Sequence, residues 1–216
     1  MNPSRRLSLL DELLVAADEA LRTVSGAQSP ARATPRPKEA LEAAPSTPRE
    51  RRACAGLMRV NHAGEISAQA LYSGQALAAR DERVRAALRA AAAEERDHLA
   101  WCRERLDALD ARPSVLAPLW YAGSFGLGLV SGLAGDRWSL GFLAETEAQV
   151  ERHLDGHLER LPASDAASRA VLEQMREDEI RHGESGRALG AAELPGVVKR
   201  AMRVASKVMT STAYWV

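Results

Sequence analysis

Two short stretches, Glu95-Arg96-Asp97-His98 and Glu179-Ile180-Arg181-His182, set the tightest limit on what this chain can fold into. Each is a Glu-x-x-His inside a run of helical character. Residues i and i+3 share one helix face about one turn apart, so each stretch can aim a carboxylate and an imidazole at a common centre. A further glutamate precedes each at nearly the same distance: Glu65 stands 30 residues before Glu95, and Glu147 stands 32 before Glu179. In an antiparallel helix hairpin that turns near its midpoint, residues that far apart return to one level. Two such hairpins packed together would set four glutamates and two histidines at one height of a bundle core. That is the ligand set of a carboxylate-bridged di-iron or di-manganese site.

A single Glu-x-x-His in a Glu-rich helical chain is usually a pair of solvated charges. The duplication overturns that reading here. Corresponding positions in the two halves lie 82, 84 and 84 residues apart, which also suggests an internal repeat. The pattern assigns Glu65 and His98 to one metal, Glu147 and His182 to the other, and Glu95 and Glu179 to a bridge between them. Carboxylates and imidazoles without thiolates suit iron or manganese rather than structural zinc. Four carboxylates balance two divalent ions; metal-free, they would repel one another in the core and take up protons.

The rest of the chain reads as all-α, with abundant alanine and few alternating β-branched runs. Lys+Arg and Asp+Glu number 29 each, so no basic excess points to nucleic acid. Met1 to Leu10 carries Arg5 and Arg6 but no apolar core, and is expected to be neither a secretory signal nor a transit peptide. Residues 7 to 25 form an amphipathic helix with Leu9, Leu10, Leu13, Leu14, Ala17 and Leu21 on one side. Pro30, Pro35, Pro37, Pro45 and Pro48 then mark a flexible linker or an irregular wrap, so that residues 1 to 48 precede a helical domain over 49 to 216. Bundle helices are expected from about Glu50 to Arg80 and on to Asp110, with turns at Asp81-Glu82 and at Leu161 to Ser164. Ser164 or Asp165 caps the fourth helix and Gly190 stops it. Gly64, beside Glu65, is expected to serve a close helix contact or to leave room for a substrate.

Between the hairpins, Pro113 to Gly135 is uncharged throughout. Its length alone would allow a transmembrane helix, but a single crossing would separate the two halves of the ligand set. An element lying flat or re-entering one face keeps them together, and the expectation is contact with a membrane interface; a buried crossover is the alternative. The basic amphipathic helix from Val197 to about Thr210 either lies on an anionic membrane or closes the bundle. His62 and Tyr72 are candidates to support or line the site, with structural roles as the alternative. Glu94, Asp97 and Asp178 neighbour ligands in sequence and are expected to point away from them, as surface groups or as groups that support the ligands from outside. Cys54 and Cys102 are expected to be reduced thiols.

The segments Arg59-Val60-Asn61-His62-Ala63-Gly64-Glu65, Glu95 to His98, Glu145-Thr146-Glu147 and Glu179 to His182 resemble the demethoxyubiquinone hydroxylase (Coq7) family over about residues 50 to 216. All six of that family's ligand positions are matched. The resemblance implies a ferritin-like four-helix bundle holding two iron ions. It implies a monooxygenase that uses dioxygen and an external reductant such as NADH to hydroxylate the ring of 2-polyprenyl-3-methyl-6-methoxy-1,4-benzoquinol, whose product is then methylated. It also implies a peripheral protein on the cytoplasmic face of a bacterial cell membrane, working beside other ubiquinone-synthesis enzymes, with homo-oligomerisation left open. His153 matches a family position where mitochondrial members have His followed by Tyr; here Leu154 follows it. The ligands alone leave open another di-iron oxygenase or peroxidase, and an iron-storage bundle; the uncharged insert counts against storage.

Overall fold

The computed structural model describes residues 8–27, 29–37 and 47–216, with the backbone alone at 9, 12 and 13. Arg5, Arg6 and Pro45, and the side chains of Leu9 and Leu13, lie outside the described residues. Seven helices are described, with no strand among them: α1 (Leu9–Ser25), α2 (Pro48–Ala78), α3 (Glu82–Ala108), α4 (Ala117–Leu133), α5 (Asp136–Arg160), α6 (Ala166–Ala188) and α7 (Gly196–Ala213).

Local chemistry sets the helix ends. Ser8 and Asp11 form a reciprocal capping box on α1, and Thr47 and Glu50 form another on α2, where Pro48 takes the first position that needs no N–H donor. Asp81 caps α3, and Asp165 caps α6 by accepting from Ser168 N. The α2/α3 and α5/α6 hairpins therefore turn where the ligand spacing requires. Asp136, opening α5, accepts from the amides of Arg80 at 3.0 Å and Asp81 at 2.8 Å, which ties the first hairpin's turn to the start of the second hairpin. Of the proline-rich stretch, residues 29–37 run as an irregular wrap along α3; residue 28 and residues 38–46 lie outside the described residues.

The uncharged segment folds as α4 and lies flat along α2. Glycine permits the approach: a Cβ at Gly128 would stand 2.1 Å from the Leu71 carbonyl oxygen, and one at Gly74 would stand 2.4 Å from that of Phe125. Only Ala117, Tyr121, Gly128 and Gly132 of α4 are buried, while Leu119, Leu127, Val130 and Leu133 are exposed. Among the described residues, no helix is long and apolar enough to cross a membrane. At Gly64 a Cβ would meet nothing within 4 Å, so the expected close helix contact is absent there. Helix α7 lies across α2 and α5; its Ala213 is buried while Val204 and Val208 face outward.

Among the described residues, the two largest of four apolar clusters fill the bundle interior. One holds Leu57, Met58, Trp101, Leu106, Leu154, Leu172 and Met175. The other holds Leu71, Tyr72, Leu88, Leu140 and Leu143. Cys54 and Cys102 are buried free thiols. Gly128→Ala is expected to lower stability by about 1–3 kcal/mol, because its contact is backbone and cannot swing aside. Gly123→Ala, with open space at its Cβ, is expected to be neutral or slightly stabilising. Equal melting temperatures for the two variants in thermal unfolding would contradict the close α2/α4 packing.

Candidate metal centre

Four helices each send carboxylates to one level: Glu65 from α2, Glu95 from α3, Glu147 from α5 and Glu179 from α6, joined by His98 and His182. All six are buried. They form two overlapping groups, Glu65, Glu95, His98 and Glu179, and Glu95, Glu147, Glu179 and His182, within each of which the donor atoms lie within 4.8 Å of one another. Glu95 and Glu179 belong to both groups, which is the arrangement a bridging pair requires. His98 Nδ1 stands 3.0 Å from Glu95, 3.3 Å from Glu179 and 3.4 Å from Glu65. His182 Nδ1 stands 3.3 Å from Glu179, 3.5 Å from Glu95 and 3.6 Å from Glu147.

Such a cluster is electrostatically frustrated when it holds no cation. Burial, and then the neighbouring Glu179, push Glu95 and Glu147 well above the usual carboxylate range. Burial also opposes ionisation of Glu179, but the hydrogen bond from His182 and the nearby His98 outweigh it and hold this carboxyl below its usual value. Burial pulls both imidazoles down, yet the surrounding carboxylates prevail, so His98 lies well above the ordinary histidine value and His182 rises to about 11. Glu65 Oε2, Glu95 Oε1, Glu147 Oε2 and Glu179 Oε1 are buried without a hydrogen-bond partner. Orphaned carboxylate oxygens in a core are costly, and two divalent cations would satisfy all four. The donor set, oxygen and imidazole nitrogen without thiolate, fits iron or manganese.

Of the three acids that neighbour these residues in sequence, Asp97 points away from the cluster as expected, while Asp178 and Glu94 turn toward the outer nitrogen of a histidine. Asp178 is fully buried and accepts from His98 Nε2 at 2.9 Å; Arg32 at 2.8 Å, Arg181 at 2.9 Å and Gln174 at 3.1 Å also hold it. Although burial opposes its ionisation, the hydrogen bonds from His98 and Arg32 keep this carboxyl well below the usual range. Asp97 is buried too, paired with Arg32 at 2.7 Å. Glu94 is 34% exposed and stands 3.4 Å from His182 Nε2 without hydrogen-bond alignment. The contacts cross over: the acid of the second motif meets the histidine of the first, and the acid of the first stands by the histidine of the second. A residue one position before a ligand is turned about 100° around its helix, toward the neighbouring hairpin. The acid-Glu-x-x-His pattern shared by Glu94 to His98 and Asp178 to His182 was the available signal.

Tyr72 is fully buried and its hydroxyl donates to Glu147. Burial and the adjacent carboxylates raise its pKa, so it remains a protonated donor. His62 is buried beside a cleft lined by Thr23, Pro30, Leu99 and Arg103; burial lowers it to about 4, and its Nδ1 has no hydrogen-bond partner. It therefore faces the N-terminal wrap rather than the six-residue cluster. His153 lies with its ring centroid 3.8 Å from that of His157, the two rings tilted by 56°; His157 Nδ1 donates to the Asn61 carboxamide oxygen at 2.9 Å. Burial lowers these imidazoles to about 4 and about 2, keeping both neutral in a cleft of about 690 Å³ with Arg152, Arg160 and Tyr214.

Residues 52–213 match the family model described as ubiquinone biosynthesis protein COQ7. Proteins named 3-demethoxyubiquinol 3-hydroxylase are similar over nearly the whole chain. That of Cupriavidus taiwanensis is 58% identical over 205 residues, covering 95% of this chain and 99% of its own length. That of Variovorax paradoxus is 58% identical over 207 residues, covering 96% and 98%, and that of Bordetella pertussis is 56% identical over 212, covering 98% and 95%. With a match this long and a six-residue cluster assembled from the motif positions, the chain belongs to the COQ7 family of ubiquinone biosynthesis proteins.

Proposed function

We propose that this protein is a di-iron monooxygenase that hydroxylates the ring of a polyprenyl demethoxyubiquinol, the activity named for its full-length relatives. The observation that carries the proposal is the pair of overlapping four-residue groups sharing Glu95 and Glu179. Glu65 and His98 would hold one iron, Glu147 and His182 the other, and Glu95 and Glu179 both. When bound and reduced, such a pair supplies two electrons to dioxygen, so that with two protons one oxygen atom enters the substrate and the other leaves as water; an external reductant, for instance NADH, then restores it.

The chain's own residues supply placement and exclusion. The apolar clusters on either side keep bulk water from the carboxylate level. Asp178 fixes the ring of His98, and Tyr72 holds a proton against Glu147. A substrate with a prenyl tail resides in a bilayer. The exposed Leu119, Leu127, Val130 and Leu133 of α4, with Val204, Val208 and Trp215 at α7 and beyond it, support docking on a membrane surface. Arg200, Arg203 and Lys207 would meet anionic headgroups, and the reading is of a peripheral protein on the cytoplasmic face.

Glu95→Gln and Glu179→Gln are expected to abolish iron loading and hydroxylation while helicity by circular dichroism is retained. Cells lacking the gene should accumulate the demethoxy quinone and recover with the wild-type chain but not with Glu95→Gln; a normal quinone profile in those cells would refute the substrate. Metal must displace protons from Glu95, Glu147, His98 and His182, all raised in the metal-free chain. Affinity should therefore rise with pH, with net proton release on Fe(II) binding. Calorimetry in buffers of different ionisation enthalpy measures this, and proton uptake would contradict it.

A further inference from the structure

We infer that Arg32, on the wrap preceding the bundle, is a positioning residue for His98, and that it makes the Glu65/His98 position the tighter of the two metal positions; this rests on the metal-centre reading above. Arg32 lies outside the residues matched by the family model. Its guanidinium holds two buried carboxylates at once, with Nε 2.7 Å from Asp97 Oδ2 and Nη1 2.8 Å from Asp178 Oδ2. The same Asp178 oxygen accepts from His98 Nε2 at 2.9 Å. The wrap is itself fixed to α3: Ala31 N donates to Asp97 at 2.6 Å, and Trp101 Nε1 donates to the Arg32 carbonyl at 3.3 Å. The guanidinium also lies 4.8 Å above the Trp101 ring, whose centroid is 5.3 Å from that of His98.

His98 is therefore braced through Asp178 and packed by Trp101, both tied to one arginine. His182 is braced less directly. Its outer acid, Glu94, is partly exposed and out of hydrogen-bond alignment with it; Arg181, 52% exposed, pairs with that acid at 2.6 Å, and Arg32 Nη2 comes only within 3.9 Å of it. An imidazole already fixed in orientation gives up less freedom when it takes a metal, so the braced position fills first. Removing an outer partner of a metal-binding histidine typically weakens binding about 10–100-fold, which sets the scale for Arg32.

The test is anaerobic calorimetric titration of the metal-free full-length chain with Fe(II). Wild type should show two steps, the tighter one retained in His182→Gln and lost in His98→Gln. Arg32→Ala should weaken the tighter step about ten-fold or more and leave the weaker step in place. Arg32→Lys keeps the charge but cannot fork onto two carboxylates, so it should show most of the same loss and serves if the alanine variant folds poorly. In an Asp178→Asn background, Arg32→Ala should add little. An unchanged tighter step in the Arg32 variants, even with a lowered melting temperature, would reduce Arg32 to a structural strap and overturn the inference. So would an undiminished loss in the Asp178→Asn background. If wild type takes up no Fe(II), the metal-centre reading falls first, a result distinct from either.

Discussion

Four carboxylates at one level of a helix bundle are the constraint on which the rest of this structure depends. Glu65, Glu95, Glu147 and Glu179 are almost wholly removed from water, and an oxygen of each lacks a hydrogen-bond donor. No packing of apolar groups around them can offset that cost; it is met by protons, by imidazolium, or by metal. The protein therefore surrounds the level with groups that hold its members still. Tyr72 donates to Glu147, Asp178 accepts from His98, and apolar clusters lie on both sides.

The backbone that delivers these side chains is regular where the six clustered residues stand and specialised where helices must approach. Side-chain caps at Thr47, Asp81 and Asp165 and short turns set the hairpins, and Asp136 links the two through the amides of Arg80 and Asp81. Glycines then let α4 lie backbone to backbone on α2. This leaves the apolar outer side chains of α4 facing outward instead of filling the core. One uncharged segment thus joins the hairpins, braces α2 and presents an apolar face.

The hairpins, their turns and the convergence of six residues were legible in the sequence because helical periodicity and chain reversal convert spacing directly into height. Direction around the helix was harder to read. Asp178 adjoins Glu179 in sequence and so turns away from it, yet that direction faces the histidine of the other hairpin. His62, one turn from Glu65, faces the N-terminal wrap, whose path no periodicity encodes. The role of Arg32 was hidden for the same reason: proline-rich sequence announces irregular backbone without saying where it goes. Tyr72 was legible as a residue facing the site, but its bond to Glu147 depends on the offset between hairpins, which only packing fixes.

The crossed contacts between each motif's acid and the other motif's histidine bear on the order of assembly. Each hairpin can form from contacts close in sequence, which are fast. Neither imidazole meets its outer acid until the two hairpins have docked. The shared carboxylate level is thus a record that docking has been completed, and a chain stalled with its hairpins apart presents scattered carboxylates. The two helix hairpins are thus one folding unit: Asp178 of the second keeps His98 of the first in place, and the six residues share one level only when both hairpins have docked.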